Sequence, residues 1–245
     1  MKVKIFKSHE CMSEHVKEDL VSAIKQKPNI NLGLATGSTP KILYKRLIED
    51  HQTNQTDYSN VKMFNLDEYI NLSKTHKQSY HYYMKENFFD HINIDKRNIN
   101  IPNPYELGVD RAITSYEERL KNHPIDIQIL GLGSNGHIAF NEPGTSFETT
   151  THLIDLTQET INDNARFFDS VKDVPKKAIT MGIKTIMNAR KIILMASGQN
   201  KAKAVYNLFH GPISTRCPAS VLRQHPDVLI TLDESAAQYI KEEQT

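Results

Sequence analysis

A glycine-rich loop with a central histidine follows the apolar run IDIQIL; it reads GLGSNGHIAFNEPG and covers residues 131–144. Its first three glycines form G-x-G-x-x-G, the spacing typical of dinucleotide-binding loops, which also require a long following helix and a later acidic residue. Asp155 lies near the distance expected for that acid, but Pro143 and Gly144 should end any helix before it could cross a sheet. We therefore expect no nicotinamide or flavin cofactor.

The histidine of this loop, His137, suits proton transfer better. A neutral imidazole accepts a proton on one nitrogen, while its other nitrogen needs an orienting partner. Asn135 and Glu142 are the nearest candidates for that partner. A histidine that merely binds loop backbone is the open alternative, although glycines at a strand end let the backbone approach a ligand closely.

A second loop, LGLATGSTP, places Gly37, Ser38 and Thr39 between an apolar run and Pro40, a residue suited to a helix start. Free backbone N–H groups and the helix dipole make such a point an anion site, to which the two hydroxyls would add donors. The loop lacks the Gly-Lys-Ser/Thr of a P-loop, so it does not indicate a nucleoside triphosphate. Plain helix capping by Ser38 or Thr39 is the open alternative.

A third segment, NLDEY, places Asp67 and Glu68 after another apolar run. If the segment is extended, neighbouring side chains point to opposite faces, so one carboxylate alone faces a site. Partial burial would raise the pKa of that carboxyl group toward the range of a useful general base. Two solvated acids that cap the following segment are the open alternative.

The elements that must position these loops are strands alternating with helices. The patterns predict strands at 3–6, 29–35, 61–66, 125–132, 152–156, 191–197 and 227–233, and helices at 13–25, 38–50, 78–89, 108–121, 200–209 and 234–243. Strands that are apolar on both faces indicate a parallel sheet covered by helices on each side. No repeat or linker divides the chain, so we predict a single α/β domain covering residues 1–245.

In such a sheet, ligands bind beyond the carboxyl ends of the strands, where all three loops fall. Together they would offer an anion cradle, a carboxylate base and a histidine. The residues show no metal-binding cluster, so we expect no metal, and they show no Ser-His-Asp order. The chemistry that fits is proton transfer on a small phosphorylated substrate.

The composition excludes several other classes of protein. The net charge of +1 creates no field that would draw the chain to nucleic acid or an anionic membrane, and the apolar runs are too short to span one. The N-terminus has no apolar signal core. Cys11 and Cys217 match no zinc or disulfide spacing, which is typical of free thiols in the cytoplasm.

The three loops together resemble glucosamine-6-phosphate deaminases. LGLATGSTP, FNLDEY and GLGSNGHIAFNEPG occur in the order and spacing of that family. The resemblance extends to the segments at 79–92, 165–183 and 197–205. It implies a modified Rossmann-like parallel sheet between helices, and conversion of glucosamine 6-phosphate to fructose 6-phosphate and ammonia without a cofactor.

The resemblance also implies a role for each site residue. His137, aided by Asn135 and Glu142, would open the pyranose ring. Asp67 would then take the C2 proton and return one to C1, giving a C2 imine that water hydrolyses. The residues implied for phosphate binding are Gly37, Ser38, Thr39, Arg166 and Lys201. Arg166 would lie on a mobile lid, at about 157–174, that closes over the sugar.

Two departures from the family pattern bear on this assignment. Some members have aspartate in place of Asn135; an amide can orient His137 through its oxygen, but it cannot stabilise an imidazolium by charge. Members activated by N-acetylglucosamine 6-phosphate use basic residues just after the histidine loop, whereas 145–156 here contains no Arg or Lys. We therefore predict that this activation is absent and that the chain need not form the hexamer of those members; its oligomeric state stays open.

Three other functions compete with this one. Hydrolysis of 6-phosphogluconolactone on the same fold would also use an anion cradle and a histidine, but it would not explain Asp67 and Glu142. The galactosamine 6-phosphate epimer as substrate stays open. A sugar-phosphate sensor is less consistent with the sequence, because the first strand begins at about residue 2 and leaves no room for an N-terminal DNA-binding helix pair.

Overall fold

Strands and helices alternate along the chain in a computed structural model that describes residues 1–241, apart from the side chains of Leu107, Asp163, Arg166 and Lys241. The strands in chain order are β1 Lys2–Phe6, β2 Asn31–Leu34, β3 Lys62–Asn65, β4 Asp67–Tyr69, β5 Ile99–Asn100, β6 Ile127–Gly131, β7 His152–Asp155, β8 Lys177–Thr180, β9 Lys191–Ala196 and β10 Val228–Asp233.

The α-helices flank these strands. They are α1 His9–Gln26, α2 Lys41–Asn54, α3 Tyr80–Asn87, α4 Pro104–Leu107, α5 Val109–Asn122, α6 Gln158–Asn164, α7 Ile183–Met187, α8 Ala202–His210 and α9 Gln238–Lys241. Short 3₁₀ helices cover Phe89–His91, Lys96–Asn98, Ala165–Phe167, Val171–Asp173, Gln199–Lys201 and Pro218–Gln224.

Seven strands form one parallel sheet in the order β1-β10-β9-β6-β2-β3-β5. Its central strands carry side chains that are buried on both faces, and all six residues of β10 are buried. The resulting core continues into the helices; α1, for example, buries Val16, Leu20 and Ile24 on one face. The predicted parallel α/β sheet is therefore confirmed.

A second, three-stranded sheet was not predicted from the sequence. It is antiparallel, in the order β4-β8-β7, and pairs Asp67 with Thr180 across its first two strands. The strand predicted at 152–156 belongs to this sheet rather than to the parallel one. Strands this short carry too few residues for a periodic signal, so only their pairing identifies them. The small sheet holds the NLDEY segment extended beside the carboxyl end of β3.

Several predicted boundaries differ from those of the structure. The helix predicted at 38–50 begins only at Lys41, with Pro40 as its N-cap residue and without a capping side chain. The closing helix predicted at 234–243 is confined to Gln238–Lys241 among the described residues, because 234–237 form turns and 242–243 lie outside them. No helix within residues 1–241 combines the length and apolarity that crossing a membrane requires.

Close packing at the centre of the parallel sheet predicts a stability effect at Gly33. A Cβ atom there would overlap the buried side chain of Gln128 on the neighbouring strand β6. Gly33→Ala should therefore lower the free energy of unfolding by about 1–3 kcal/mol, as overpacking of cores does. Urea unfolding would measure this change.

The matched control is Gly131→Ala, since a Cβ atom at that position meets nothing within 4 Å. Adding Gln128→Ala to Gly33→Ala should recover part of the loss, because the overlapping atoms are then removed. Equal stability of the Gly33→Ala and Gly131→Ala proteins would contradict this account of the packing.

Candidate active site

A cavity of about 280 Å³ lies at the carboxyl ends of the parallel strands. The three loops singled out by sequence all reach it. Of the predicted site residues, those lining it are Gly37, Ser38, Thr39, Asp67, His137 and Lys201. Asn135 and Glu142 lie behind His137 and contact it. The Arg166 side chain lies outside the described part of the structure; its backbone belongs to the 3₁₀ helix Ala165–Phe167, between the cavity-lining residues Asn164 and Phe167.

Asp67 is a buried carboxylate that faces this cavity. Its side chain is 5% exposed and has no hydrogen-bond or ion-pair partner among the described side chains and backbone groups. Burial, and then the negative charge of Glu68, raise the pKa of Asp67 well above its usual range. A buried carboxylate without a partner is costly for folding, so this arrangement favours a chemical role. It also gives a base that is stronger than an ordinary aspartate.

Glu68 points the opposite way, as extended backbone at β4 requires. Its side chain is fully buried, and each carboxylate oxygen accepts two hydrogen bonds. Oε1 accepts from the backbone N–H groups of Tyr69 at 2.8 Å and Tyr80 at 2.9 Å. Oε2 accepts from His81, through its backbone N–H at 2.9 Å and its ring Nδ1 at 2.7 Å. Glu68 therefore caps the start of α3, but from a buried position rather than the solvated one considered as an alternative.

The ring of His137 lies directly against the backbone of Gly133. A Cβ atom at position 133 would overlap the imidazole, so only glycine leaves room for the ring there. The loop is closed by backbone hydrogen bonds from Gly133 N–H to His137 O at 2.9 Å and from Gly136 N–H to Gly133 O at 3.0 Å. Gly136 has φ 88°, a left-handed conformation that glycine adopts without strain. The glycines therefore shape the loop around the histidine. The 132–151 segment contains no helix, whereas a dinucleotide-binding loop would be followed by one.

Glu142 orients His137 from behind. Its Oε2 lies 3.5 Å from the ring Nδ1 of His137, which is ion-pair distance but long for a hydrogen bond. Burial alone would raise the pKa of Glu142. The close polar contact with the His137 ring and its charge, with hydrogen bonds from Thr160 and Asn135, outweigh burial and lower that pKa to about 2. An ionised Glu142 can stabilise a positive charge on the imidazole.

The expected role of Asn135 is corrected in one respect. Its Oδ1 accepts from the backbone N–H of His137 at 3.1 Å rather than from the ring. Its Nδ2 donates to Glu142 Oε2 at 3.1 Å. The amide therefore fixes the loop and the carboxylate, and Glu142 in turn orients the ring.

The first residues of the segment proposed as a lid are hydrogen-bonded to the carboxylate of Glu142. Oε1 of Glu142 accepts hydrogen bonds from the hydroxyls of Thr157, at 3.1 Å, and Thr160. Thr157 also caps α6 by accepting from the backbone N–H of Thr160. Thr160, Asn164 and Phe167 line the cavity. The start of this segment is thus tied to the partner of His137.

The 37–39 loop is held by side chains from three helices. Tyr83 Oη donates to the carbonyl of Gly37 at 2.6 Å, and the hydroxyl of Tyr44 donates to that of Ala35. The imidazole Nε2 of His9 lies 2.7 Å from the carbonyl of Thr39. The carbonyl oxygens of Gly37 and Thr39 are therefore bound by side chains of the protein. Gly37, with φ 94°, permits the turn.

Sequence reasoning missed several residues of the cavity wall. Tyr80 and Phe140 stack their rings at 6.1 Å, Thr36 follows the end of β2, and Asn200 lies in the 3₁₀ helix that follows β9. A position after a strand end could have suggested Thr36 and Asn200. Tyr80 and Phe140 reach the cavity through the packing of α3 and of the histidine loop. Within residues 1–241, no group of His, Cys, Asp and Glu side chains has the arrangement of a metal site.

Comparisons with a family model and with individual proteins point to the same family. Residues 7–230 match the family model described as glucosamine-6-phosphate isomerases/6-phosphogluconolactonase. A glucosamine-6-phosphate deaminase of Thermoanaerobacter pseudethanolicus is 53% identical over 244 residues, which cover 99% of this chain and 96% of that protein. The glucosamine-6-phosphate deaminase of Clostridium novyi is 51% identical over 238 residues, covering 97% and 99%.

Among solved structures, a monomeric glucosamine-6-phosphate deaminase superposes with a TM-score of 0.95 and 44% sequence identity, covering 97% of this chain and 99% of that one. Similarity of this extent, in both sequence and fold, spans all three loops of the cavity. The chain therefore belongs to the family of glucosamine-6-phosphate isomerases and 6-phosphogluconolactonases.

Proposed function

We propose that this protein converts glucosamine 6-phosphate to fructose 6-phosphate and ammonia by aldose–ketose isomerisation and hydrolytic deamination. The observation that carries the proposal is the buried, unpartnered carboxylate of Asp67, which shares one cavity with His137 and the 37–39 loop. Relatives more than half identical over nearly the whole chain are named glucosamine-6-phosphate deaminases, which supports this reaction over lactone hydrolysis.

Binding of the substrate phosphate is assigned to the 37–39 loop and Lys201, with Arg166 from the lid segment as a further ligand. The loop precedes the N-terminus of α2, where backbone N–H groups and the helix dipole favour an anion. A phosphate bound at the 37–39 loop would place the sugar ring between Asp67 and His137.

Ring opening is assigned to His137. Its imidazole takes the proton of the C1 hydroxyl and then gives a proton to the sugar ring oxygen as the bond between C1 and that ring oxygen breaks, which leaves the open-chain aldehyde. Glu142 stabilises the imidazolium that forms transiently, and Asn135 keeps Glu142 in place. Ionised Glu142 therefore supplies the charge that an aspartate in place of Asn135 would also supply.

Isomerisation is assigned to Asp67. The carboxylate removes the C2 proton while the aldehyde oxygen gains a proton, which gives an enolamine. The carboxyl group then delivers its proton to C1 as the nitrogen loses one, which gives a C2 imine. Water adds to the imine carbon, the C2–N bond breaks and ammonia leaves, giving the ketone of fructose 6-phosphate. The overall reaction consumes one water molecule and needs no oxidant, metal or cofactor. We further propose that the enzyme works in the cytoplasm and without activation by N-acetylglucosamine 6-phosphate.

The first experiment is direct. Purified protein mixed with glucosamine 6-phosphate, without added metal or nucleotide, should release ammonia and fructose 6-phosphate in equal amounts. Galactosamine 6-phosphate and 6-phosphogluconolactone run alongside as competing substrates. Consumption of the lactone with no turnover of the amino sugar would overturn the proposal and assign the other reaction of the family.

Replacing the proposed base should remove isomerisation but leave phosphate binding. Asp67→Asn should lower kcat by about 10²–10⁴-fold, the usual contribution of a positioned general base. The affinity for inorganic phosphate, measured as competition with substrate in the parent and by calorimetry in both proteins, should change little. Asp155→Asn, on the exposed edge of β7, is the control and should retain full activity. Activity of Asp67→Asn near that of the parent would exclude Asp67 as the base.

The same substitution should stabilise the fold at neutral pH. Because the pKa of Asp67 is raised on folding, the folded state favours the protonated carboxyl group, and the stability from this group is lost as the pH rises through the folded pKa. Asp67→Asn should therefore gain about 1–3 kcal/mol at pH 7 and little at about pH 4, near the pKa of an unfolded aspartate. Urea unfolding at both pH values would measure the gain.

Asp126→Asn is the contrasting control. Asp126 is also buried, but it accepts hydrogen bonds from Lys27 Nζ at 2.7 and 2.8 Å and from the backbone N–H of Asn31 at 2.9 Å. This variant should lose stability at pH 7, because it breaks a paired charge. A loss of stability for Asp67→Asn at pH 7 would contradict the view that its charge is unpaired.

A further inference from the structure

A second and larger cavity, of about 850 Å³, lies beside the proposed active site. It is enclosed by α3, α5, β5 and the 3₁₀ helix Lys96–Asn98, and it shares no lining residue with the cavity that Asp67 and His137 face. Neither the proposed reaction nor its substrate uses it. We refer to it as the α3–α5 cavity.

The floor of the α3–α5 cavity is apolar. Phe89, Ile101, Ala112 and Tyr116 line it, and each is buried to nine-tenths or more. Tyr116 is fixed there because its hydroxyl donates to the carbonyl of Asn65, two residues before Asp67. Apolar walls of this kind bind the hydrocarbon or aromatic part of a small molecule.

The rim of the cavity is cationic. Lys74 and Lys85 are paired with carboxylates, Lys74 Nζ with Glu106 at 3.3 Å and Lys85 Nζ with Asp90 at 3.4 Å. Lys96 and Arg119 also line the cavity, and neither has a carboxylate within ion-pair distance among the described side chains. Arg119 Nη1 instead donates to the neutral Oδ1 of Asn100 at 3.0 Å. Two cations at one rim are thus available to an anion.

One wall of the cavity connects it to the active site. His81 lines the cavity and binds Glu68 through ring Nδ1 at 2.7 Å. Since both oxygens of Glu68 only accept hydrogen bonds, Nδ1 carries the proton and Nε2 of a neutral ring is an acceptor. Within the described part of the chain, Nε2 has no hydrogen-bond partner. Glu68 is the next residue after Asp67 in the chain. Its charge is the second cause, after burial, of the raised pKa of Asp67.

We propose that the α3–α5 cavity is a second ligand site, for a small organic anion with an apolar body, and that its occupancy acts on Asp67 through His81 and Glu68. The apolar body would lie on the floor formed by Phe89, Ile101 and Tyr116. Its anionic group would bind Arg119 and Lys96 at the rim. A hydroxyl or amine donor of the ligand would reach Nε2 of His81.

This ligand class differs from that of the active site. A sugar phosphate has no apolar body to cover the floor, and would leave buried apolar surface exposed to water. The binding part of the proposal is independent of the proposed function, whereas its effect on Asp67 rests on it. The two parts are therefore tested by different measurements.

The probe for binding is 8-anilinonaphthalene-1-sulfonate, an aromatic anion whose fluorescence rises at apolar sites. The parent protein should bind it saturably, at about one molecule per chain. Arg119→Glu should weaken binding by about tenfold or more, because it reverses the rim charge. Ser115→Trp should block binding by filling the cavity, which Ser115 lines.

Lys121→Glu is the matched control. It makes the same charge reversal two residues further along α5, at an exposed position that does not line the cavity, and it should bind the probe as the parent does. Circular dichroism checks that each variant is folded. Inorganic phosphate at saturating concentration should not displace the probe, since it would occupy the other cavity.

Failure of the parent to bind the probe saturably would overturn the proposal. So would equal binding by Arg119→Glu and Lys121→Glu, or displacement by phosphate. Sedimentation at the same protein concentration provides a further test: a dimer that dissociates as the probe binds would assign the cavity to a second copy of the chain instead.

The link to Asp67 is tested by turnover of glucosamine 6-phosphate. The probe should change kcat with KM unaltered, at the concentration that half-saturates the fluorescence, and His81→Phe should retain probe binding but lose this effect on kcat. An unchanged kcat in a parent protein that turns over substrate and binds the probe would overturn the link. Absence of any turnover would instead count against the proposed function. The fluorescence result alone would then show whether the α3–α5 cavity binds a ligand.

Discussion

The burial of two adjacent carboxylates, Asp67 and Glu68, is the constraint on which much of the structure depends. Removing two negative charges from water is costly, and close spacing adds repulsion. The extended backbone of β4 separates the two side chains to opposite faces. Glu68 then accepts four hydrogen bonds, three of them from the start of α3, while Asp67 faces the cavity. Glu68 holds the fold, and Asp67 has the raised pKa that suits the proposed general base.

A similar division of labour surrounds the histidine. His137 can lie against the loop only because Gly133 has no Cβ atom, and Glu142, near the end of the same loop, lies against its ring Nδ1. Glu142 also receives the hydroxyls that begin the lid segment, from Thr157 and Thr160. A single buried carboxylate therefore links the ring proposed to act on the substrate to the segment proposed to close over it. Such a link would let closure and ring orientation change together.

The 37–39 loop is held by side chains that do not line the cavity. Tyr83 and His9 bind the carbonyls of Gly37 and Thr39, and Tyr44 binds that of Ala35 just before the loop. The conformation of the proposed phosphate loop thus depends on residues outside the cavity wall. Two residues that line the α3–α5 cavity are held by the same part of the chain: Tyr116 binds the carbonyl of Asn65, and His81 binds Glu68. Both cavities therefore depend on residues 65–68.

The sequence by itself determined the parallel sheet, its helices and the three loops at its carboxyl edge, because apolar periodicity, glycine, proline and the polar side chains that follow a strand are local signals. It also anticipated that Asp67 and Glu68 would face opposite ways, since this follows from extended backbone alone. Only the tertiary structure decided that β4, β7 and β8 form a separate antiparallel sheet, that Asn135 holds Glu142 and not the imidazole ring, and that Thr160 and Tyr80 belong to the site. These features join residues far apart in the chain, through hydrogen bonds and packing that leave no periodic trace in the sequence.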